Sequence, residues 1–588
     1  MNLRHLTCLG LAAAMMVAIT SPGRPVFAQA QQAADAPLTA VLAGRVVDAL
    51  SGAPVGGVTV RLFGLASQAW PREGLQGMTD DAGDFEIAGI PAGPLRLSAT
   101  ADGYLSGGYG ALTAGDTAGN RIELQPGDKL ADLTIRLWPA ARISGAVTDE
   151  RGEPVVGYIV RLLRRQYIGA RSVWLPSGQM KTDDRGRFAS TNSLRPGDYL
   201  VLLPAEPTSL RSSVVSHESV FHGGGRTVAT ASVITLGPGE RRDGIDLVTT
   251  LTPRPQLLSV AGTLTAPESV RLLGYVGLVR RDAEDPVAQF EGFRASIGQD
   301  GRFSFSHVPP GEYRLRFAVF PRVTDGASAT WGVRTIGKPA ASLSDVTTWF
   351  ADAPLALEKS VTDLVVPLQS GSRIRGRVVF EGRSDLPAAD VLNSILMHVY
   401  HAEARELSLS VLGLPTGAVD AQGRFETVGL PPGKYVLDPY AVIDKARYAV
   451  ASVRVDGREV LAEGLVVGTT DLTDVVVTFS GRSWDISGAV RDRDGRPVPG
   501  ARVIVFPRNP VDRHLAGFDT PQRVLRVAAD RSGVFHATGT FAGEFLAIAV
   551  AAPPEFWMAP EYLETLVPRA TPVRLEPGQK QSIDLRLP

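Results

Sequence analysis

"VDAQGRFETVGLPPGKYVL" occupies Val419–Leu437. An Asp-x-x-Gly turn, a short strand, a Pro-Pro-Gly reversal and a Tyr opening the next strand follow one another in under twenty residues. Asp420 on such a glycine-rich loop resembles a site residue. Its meaning depends on how often the chain repeats it, and four further stretches carry the same text. They are "TDDAGDFEIAGIPAGPLRL" from Thr79, "TDDRGRFASTNSLRPGDYLVL" from Thr182, "GQDGRFSFSHVPPGEYRL" from Gly298 and "ADRSGVFHATGTFAGEFLAI" from Ala529.

The register of the five copies is tight. Gly83, Gly186, Gly301, Gly423 and Gly533 are each followed two residues later by Phe85, Phe188, Phe303, Phe425 and Phe535. A second glycine stands ten or eleven residues on (Gly93, Gly197, Gly311, Gly433, Gly543), and two residues beyond it come Leu95, Tyr199, Tyr313, Tyr435 and Phe545. A recurring Asp sits three residues before the first glycine at Asp80, Asp183, Asp420 and Asp530, while the third copy has Gly298 there. Asp at the first and Gly at the fourth position is what a type I turn prefers, because the carboxylate accepts nearby backbone N–H groups. Asp420 is therefore read as a turn former, Phe425 as core and Tyr435 as a corner tyrosine at the start of a strand.

Each copy has a preface such as "GRVVDALSGAPVGGVTVRL" from Gly44 or "GAVRDRDGRPVPGARVIVF" from Gly488, and a coda such as "IELQPGDKLADLTIRL" (122–137). The leading glycines Gly44, Gly145, Gly262, Gly376 and Gly488 are 101, 117, 114 and 112 residues apart, the size of an autonomous domain. Five repeats are expected, at 31–140, 141–252, 253–370, 371–481 and 482–588, joined by connections too short for free swinging. A semi-rigid rod or arc follows from that. Val58–Leu62 and Ile583–Leu587 alternate apolar and polar residues, as half-buried strands do. No dozen-residue window keeps a helical period, and Ala388–Val399 comes nearest. About seven short strands per repeat predict an all-β chain of tandem antiparallel, seven-stranded Greek-key sandwiches.

At these residues the chain resembles the carboxypeptidase regulatory-like domain family, whose sandwich is prealbumin-like. The matching text is I-x-G-x-V-x-D-x-x-G-x-P-V-x-G, best kept from Ile143 and Ile486, followed by D-x-x-G-x-F and P-P-G-x-Y. Copies three and four depart from it in the preface. The resemblance implies accessory modules within a carbohydrate-binding-like fold group, and no particular ligand.

Composition narrows the rest. Lys plus Arg number 60 against 61 Asp plus Glu, which gives no electrostatic reason for a nucleic-acid partner. Gly and Pro reach about 18% of the chain, against roughly 12% in average usage, with 44% hydrophobic residues: a turn-rich folded protein. Arg4 and His5 precede an apolar run over Leu9–Ile19, and Ala28-Gln29-Ala30 offers a cleavage site, so residues 1–30 read as a signal peptide. Export to the periplasm, cell surface or exterior is expected, without a transmembrane span in the mature chain. Cys8, the one cysteine, lies in that leader, which removes disulfides and cysteine chemistry from the mature chain.

Catalytic signatures are missing: His-x-x-Glu, His-Glu-x-x-His, Gly-x-Ser-x-Gly and the phosphate-binding Gly-x-x-x-x-Gly-Lys-Ser/Thr do not occur. The fifth coda reaches Pro588, so an attached barrel or catalytic domain is not expected. His398 and His401 would face opposite sides of a strand, and His217 and His222 are likewise out of phase for chelation. Asp492-Arg493-Asp494-Gly495 and Asp80-Asp81-Ala82-Gly83 cluster oxygens of the kind calcium takes six to eight of, but the recurring Asp reads as a turn former, since copy three replaces it with Gly298 and keeps the rest. No repeated Lys–Asn arrangement suggests isopeptide stapling. No catalytic residue, metal or cofactor is assigned. The candidates for ligand binding are Trp70, Tyr167 and Trp174, in the variable hairpin region before the Asp turn, where exposed rings stack on sugars or anchor peptides. The expected function is an exported, non-enzymatic binding or scaffold protein of the envelope, with polysaccharide, peptide or another envelope protein as partner. An accessory hydrolase and a ligand-free spacer stay open as alternatives.

Overall fold

A computed structural model describes residues 39–587 apart from 65–74, 112, 116–119, 169–170, 192, 206–214, 254, 267–274, 282–291, 299, 320–347, 384, 396, 398, 402–418, 438, 440, 444–445, 462, 482, 514–522, 531 and 540. Residues 1–30, read as a signal peptide, and Trp70 lie outside the described residues.

The first copy sets the pattern with seven main strands, β1 (Ala40–Asp48), β2 (Thr59–Gly64), β3 (Leu75–Met78), β4 (Asp84–Ile90), β5 (Gly93–Thr100), β6 (Ile122–Leu124) and β7 (Lys129–Pro139), and two two-residue strands, Tyr104–Leu105 and Gly107–Gly108, that pair with β7 and β5. One sheet runs β4-β1-β7 and the other β3-β2-β5-β6. Period-two alternation turns Leu95, Leu97 and Ala99 of β5 inward and leaves Arg96 in solvent. Both sheets close on one apolar cluster that includes Leu42, Val60, Phe85 and Ile135. Equivalent clusters form within residues 141–247, 258–368, 374–479 and 484–585.

One pairing departs from the antiparallel rule. β1 and β7 run parallel, and their counterparts do the same in every later copy. The coda strand enters from the opposite sheet, and that crossover lets it lie beside the first strand in the same direction. The leading glycine of the preface sits at this seam. Its cross-strand partner is the turn phenylalanine in all five copies: Gly44 with Phe85, Gly145 with Phe188, Gly262 with Phe303, Gly376 with Phe425 and Gly488 with Phe535. On the other side a coda carbonyl presses close. A Cβ would stand 2.1 Å from the Leu133 oxygen at Gly44, 2.1 Å from that of Ile245 at Gly145, and 1.9 Å from that of Val475 at Gly376. The register slips by one residue beside Gly44, Gly262 and Gly376, a bulge that only a side-chain-free residue can face. Asp132 and Asp474, one residue before the pressing carbonyl in copies one and four, adopt φ of 62° and 57°, in the left-handed region.

Copies two and five carry a second apolar layer on the outside of the β2-type sheet. In copy five Ile504, Phe506, Leu546 and Ile548 face outward and are covered by the helix α1 (Pro560–Leu566) through Leu563 and Leu566. In copy two Leu163, Leu200, Leu202 and Phe221 form the layer, with Trp174, Val228 and Ala231 packed against it. The nearest helical window of the sequence, 388–399, is helical over Ala389–Ser394. No helix among the described residues is long and apolar enough to cross a membrane.

Copy five also touches copies one and two. Arg502 donates to the Gly110 carbonyl at 2.6 Å and to Asn120 Oδ1 at 3.2 Å, and Arg164 pairs with Glu555. An extended rod would hold these residues apart, so the rod expectation is corrected: the chain turns back on itself. Charge-assisted contacts between polar loops carry this return, a signal with no periodicity to read in advance.

Candidate functional site

The recurring carboxylates come first, since they raised the question of a site. Asp80 Oδ1 accepts from the N–H groups of Ala82 and Asp84 at 3.0 and 2.8 Å. Asp183 repeats this with Arg185 and Arg187, Asp420 with Gln422 and Arg424, and Asp530 with Ser532 and Val534, all between 2.8 and 2.9 Å. Gly83, Gly186, Gly301, Gly423 and Gly533 follow at φ between 70° and 79°. Their carbonyls accept from the first strand, at Val46, Val147, Leu264, Val378 and Val490. The third copy makes this bond and the turn bond Gly301 N–H to Gly298 O with no Asp at the first position, and there Asp300 Oδ1 accepts from the Arg302 N–H at 3.1 Å. Each oxygen that recurs is taken by the chain's own backbone.

The phenylalanines Phe85, Phe188, Phe303, Phe425 and Phe535 are all buried. Tyr199, Tyr313 and Tyr435 are buried too, and each hydroxyl donates to the carbonyl four residues back, at Arg195, Pro309 and Pro431, over 2.8, 2.9 and 2.8 Å. That bond locks the Pro-Gly reversal to the strand it begins, as a tyrosine corner does.

Among the described residues no three His, Cys, Asp or Glu side chains gather as metal ligands. His217 lies against the Tyr158 ring at 5.2 Å, and burial pushes its imidazole down to about 4, so it is neutral at neutral pH. His222 Nδ1 is 3.0 Å from the Asp246 carbonyl. His398 and the His401 side chain lie outside the description. Asp492 Oδ1 accepts from Asp494 and Arg496 N–H, a further local turn.

The variable hairpin of copy two is where chemistry of another kind collects. Its strands Ile159–Ile168 and Arg171–Lys181 pair along their whole length, and the pairing runs past the sheet body to bring Tyr167 opposite Ser172 and Arg165 opposite Trp174. Trp174 is half-buried against the outer layer, with the Arg165 guanidinium 4.9 Å above its ring. Tyr167 points elsewhere. Its ring lies 5.3 Å from Phe556 of copy five, tilted by 49°. Burial, and then the Glu561 carboxylate beside it, push its hydroxyl above the ordinary tyrosine range.

Beside Tyr167, Arg164 is 5% exposed, and its guanidinium is the centre of this contact. One terminal nitrogen donates to the Pro196 carbonyl at 2.7 Å and to Glu555, and the other reaches the second Glu555 oxygen at 3.2 Å. Phe556 lies 5.1 Å from the same guanidinium, and Arg195 is a second cation 3.6 Å from Glu555. A buried cation held by a protein carbonyl, with a carboxylate and a ring on it, is the most specific polar constellation outside the repeated frame. Tyr167 and Trp174, joined in one expectation, thus have separate neighbours. Arg164, Arg195, Glu555 and Phe556 were not singled out from sequence, because the partners are 391 residues apart.

Residues 41–125, within copy one, match the model of the carboxypeptidase regulatory-like domain. No curated protein matches the chain. Among solved structures, the chain is similar to a streptococcal ancillary pilin, at 11% identity over 57% of this chain and 99% of that one, with a TM-score of 0.19. It is also similar to GBS52, the minor pilin of Streptococcus agalactiae, at 14% identity over 37% and 98% of the two chains, with a TM-score of 0.21. A shaft pilin of Lactobacillus rhamnosus GG matches at 11% identity over 38% and 99%, with a TM-score of 0.20.

Proposed function

We propose that this chain is an exported, non-enzymatic string of five sandwich units that binds or scaffolds at the cell envelope. One observation carries the reading: the recurring Gly of all five copies, the Asp of copies one, two, four and five and the Tyr of copies two, three and four are taken up by the frame's own hydrogen bonds, while the copy-two hairpin, among the described residues, carries side chains that differ from copy to copy. Such a division, a rigid repeated frame with variable rims, suits recognition and leaves no repeated group for catalysis. The leader-like residues 1–30 support export, and the carboxypeptidase regulatory-like match in copy one supports an accessory role. Polysaccharide is the ligand class favoured for the Trp70 and Trp174 rings, through stacking on sugar faces, which at Trp174 requires the Arg165 guanidinium over the ring to give way.

The experiment is a screen of purified residues 31–588 against polysaccharides and peptides, with binding and turnover both read. Binding without turnover is expected, weakened at least tenfold in Trp70→Ala or Trp174→Ala. Turnover of any substrate ends the non-enzymatic reading, and unchanged glycan binding in both variants ends the stacking one.

A further inference from the structure

The contact between copies two and five differs in kind from the seams inside each copy. No strand pairing joins the two copies among the described residues, and their apolar clusters are separate. At its centre the dipeptide Glu555-Phe556 is seated on Arg164, Arg195 and Tyr167, with Glu561 beside the Tyr167 hydroxyl. The receiving side has a partner of its own: the Pro196 carbonyl accepts from the Arg164 guanidinium beside Glu555, and with the strap seated the arginine is buried. Interaction energy at protein contacts concentrates in such desolvated Arg and aromatic anchors, and a contact concentrated in two side chains can be made by the same two from another chain.

We infer that the Arg164–Tyr167 surface is a peptide-binding site for an acidic residue followed by an aromatic one, and that Glu555-Phe556 is its internal occupant. This rests on reading the chain as a binding protein. The carboxylate meets Arg164 and Arg195, and the ring lies between Tyr167 and the Arg164 guanidinium. Carboxylate alone, as on an acidic sugar, would leave the ring slot empty. An apolar peptide would leave a buried guanidinium without its anion, which is strongly unfavourable. While the strap is seated, an outside peptide sees only the fraction of molecules in which it has left, and its apparent affinity falls by that fraction.

The test uses the whole mature chain and a fluorescent peptide of the strap, PPEFWMAPEY (553–562). Anisotropy titrations compare wild type with a Glu555→Arg, Phe556→Ala double variant, whose strap can no longer seat. The peptide should bind the variant at least tenfold more tightly than wild type, and a peptide with Ala at both positions should bind neither. No binding to the variant, or equal affinity for both proteins, overturns the inference and leaves a plain packing contact. If the double variant loses the wild-type circular dichroism, Glu555→Gln takes its place with the same ordering expected. A negative titration leaves sugar binding at Trp174 untouched, so the two readings fail separately.

Discussion

Copies one and five share a frame and differ on one sheet face. Aligned from their second glycines, β5 of copy one reads Leu95-Arg96-Leu97-Ser98-Ala99 and its counterpart reads Phe545-Leu546-Ala547-Ile548-Ala549. The inward positions are apolar in both. The outward ones are Arg96 in solvent in the first copy, and Leu546 and Ile548 under α1 in the last. An alternating strand has one wet face, whereas a continuous apolar run needs cover on both. The cover is what distinguishes the copies. The segment that leads into α1 also carries Glu555 and Phe556 to copy two, so the second layer and the return contact are parts of one device.

The largest effect that would test this comparison lies in the part the copies share. Gly376→Ala puts a Cβ 1.9 Å from the Val475 carbonyl and 2.9 Å from the Phe425 ring, a collision with backbone that no rotamer relieves. A loss above about 4 kcal/mol is expected, enough to remove copy four's transition from a calorimetric trace while other transitions persist. A mild, uniform shift would mean that the parallel seam is adaptable and not the determinant of the fold.

The next effect separates the copies. Leu546→Ala should cost about 2–5 kcal/mol, as large-to-small changes in a packed layer do. Arg96→Ala at the matching place in copy one should stay within about 0.5 kcal/mol. Urea unfolding followed by the fluorescence of Trp557, which packs on the copy-five layer, reads the first, and calorimetry the second. Equal costs would mean that the outward face of copy one is also covered.

These differences were unequally legible in the sequence. Recurrence of Gly423, Phe425 and Tyr435 in register exposed the frame, because turn and core positions must be satisfied locally in each copy. The outer layer was also written there, in the unbroken Phe545–Val550 run, whose signal is the missing alternation. The reason for the leading glycine was hidden, since the carbonyl that presses on Gly376 belongs to Val475, about a hundred residues away and paired in parallel. Arg164 was hidden more deeply. A lone arginine in an Arg-rich hairpin carries no mark of the glutamate it will meet in copy five.

The smallest expected effect concerns the recurring carboxylates, and it sharpens the contrast between copies with and without the Asp. The N–H groups of Arg187 and then Arg185 hold the Asp183 carboxyl below its ordinary 3.8, and the Ser532 hydroxyl and Val534 N–H do the same for Asp530. A carboxylate whose pKa is lower folded than unfolded contributes stability that is complete above the unfolded value and is lost as pH falls through the folded one. Asp183→Asn keeps an acceptor oxygen for the two N–H groups but has no proton to gain. The melting-temperature gap between wild type and Asp183→Asn should therefore be constant from pH 7 down to about 5 and close below about 4. A gap as wide at pH 3 as at pH 7 would mean that the charge of Asp183 contributes nothing and that an acceptor oxygen is enough to hold the turn.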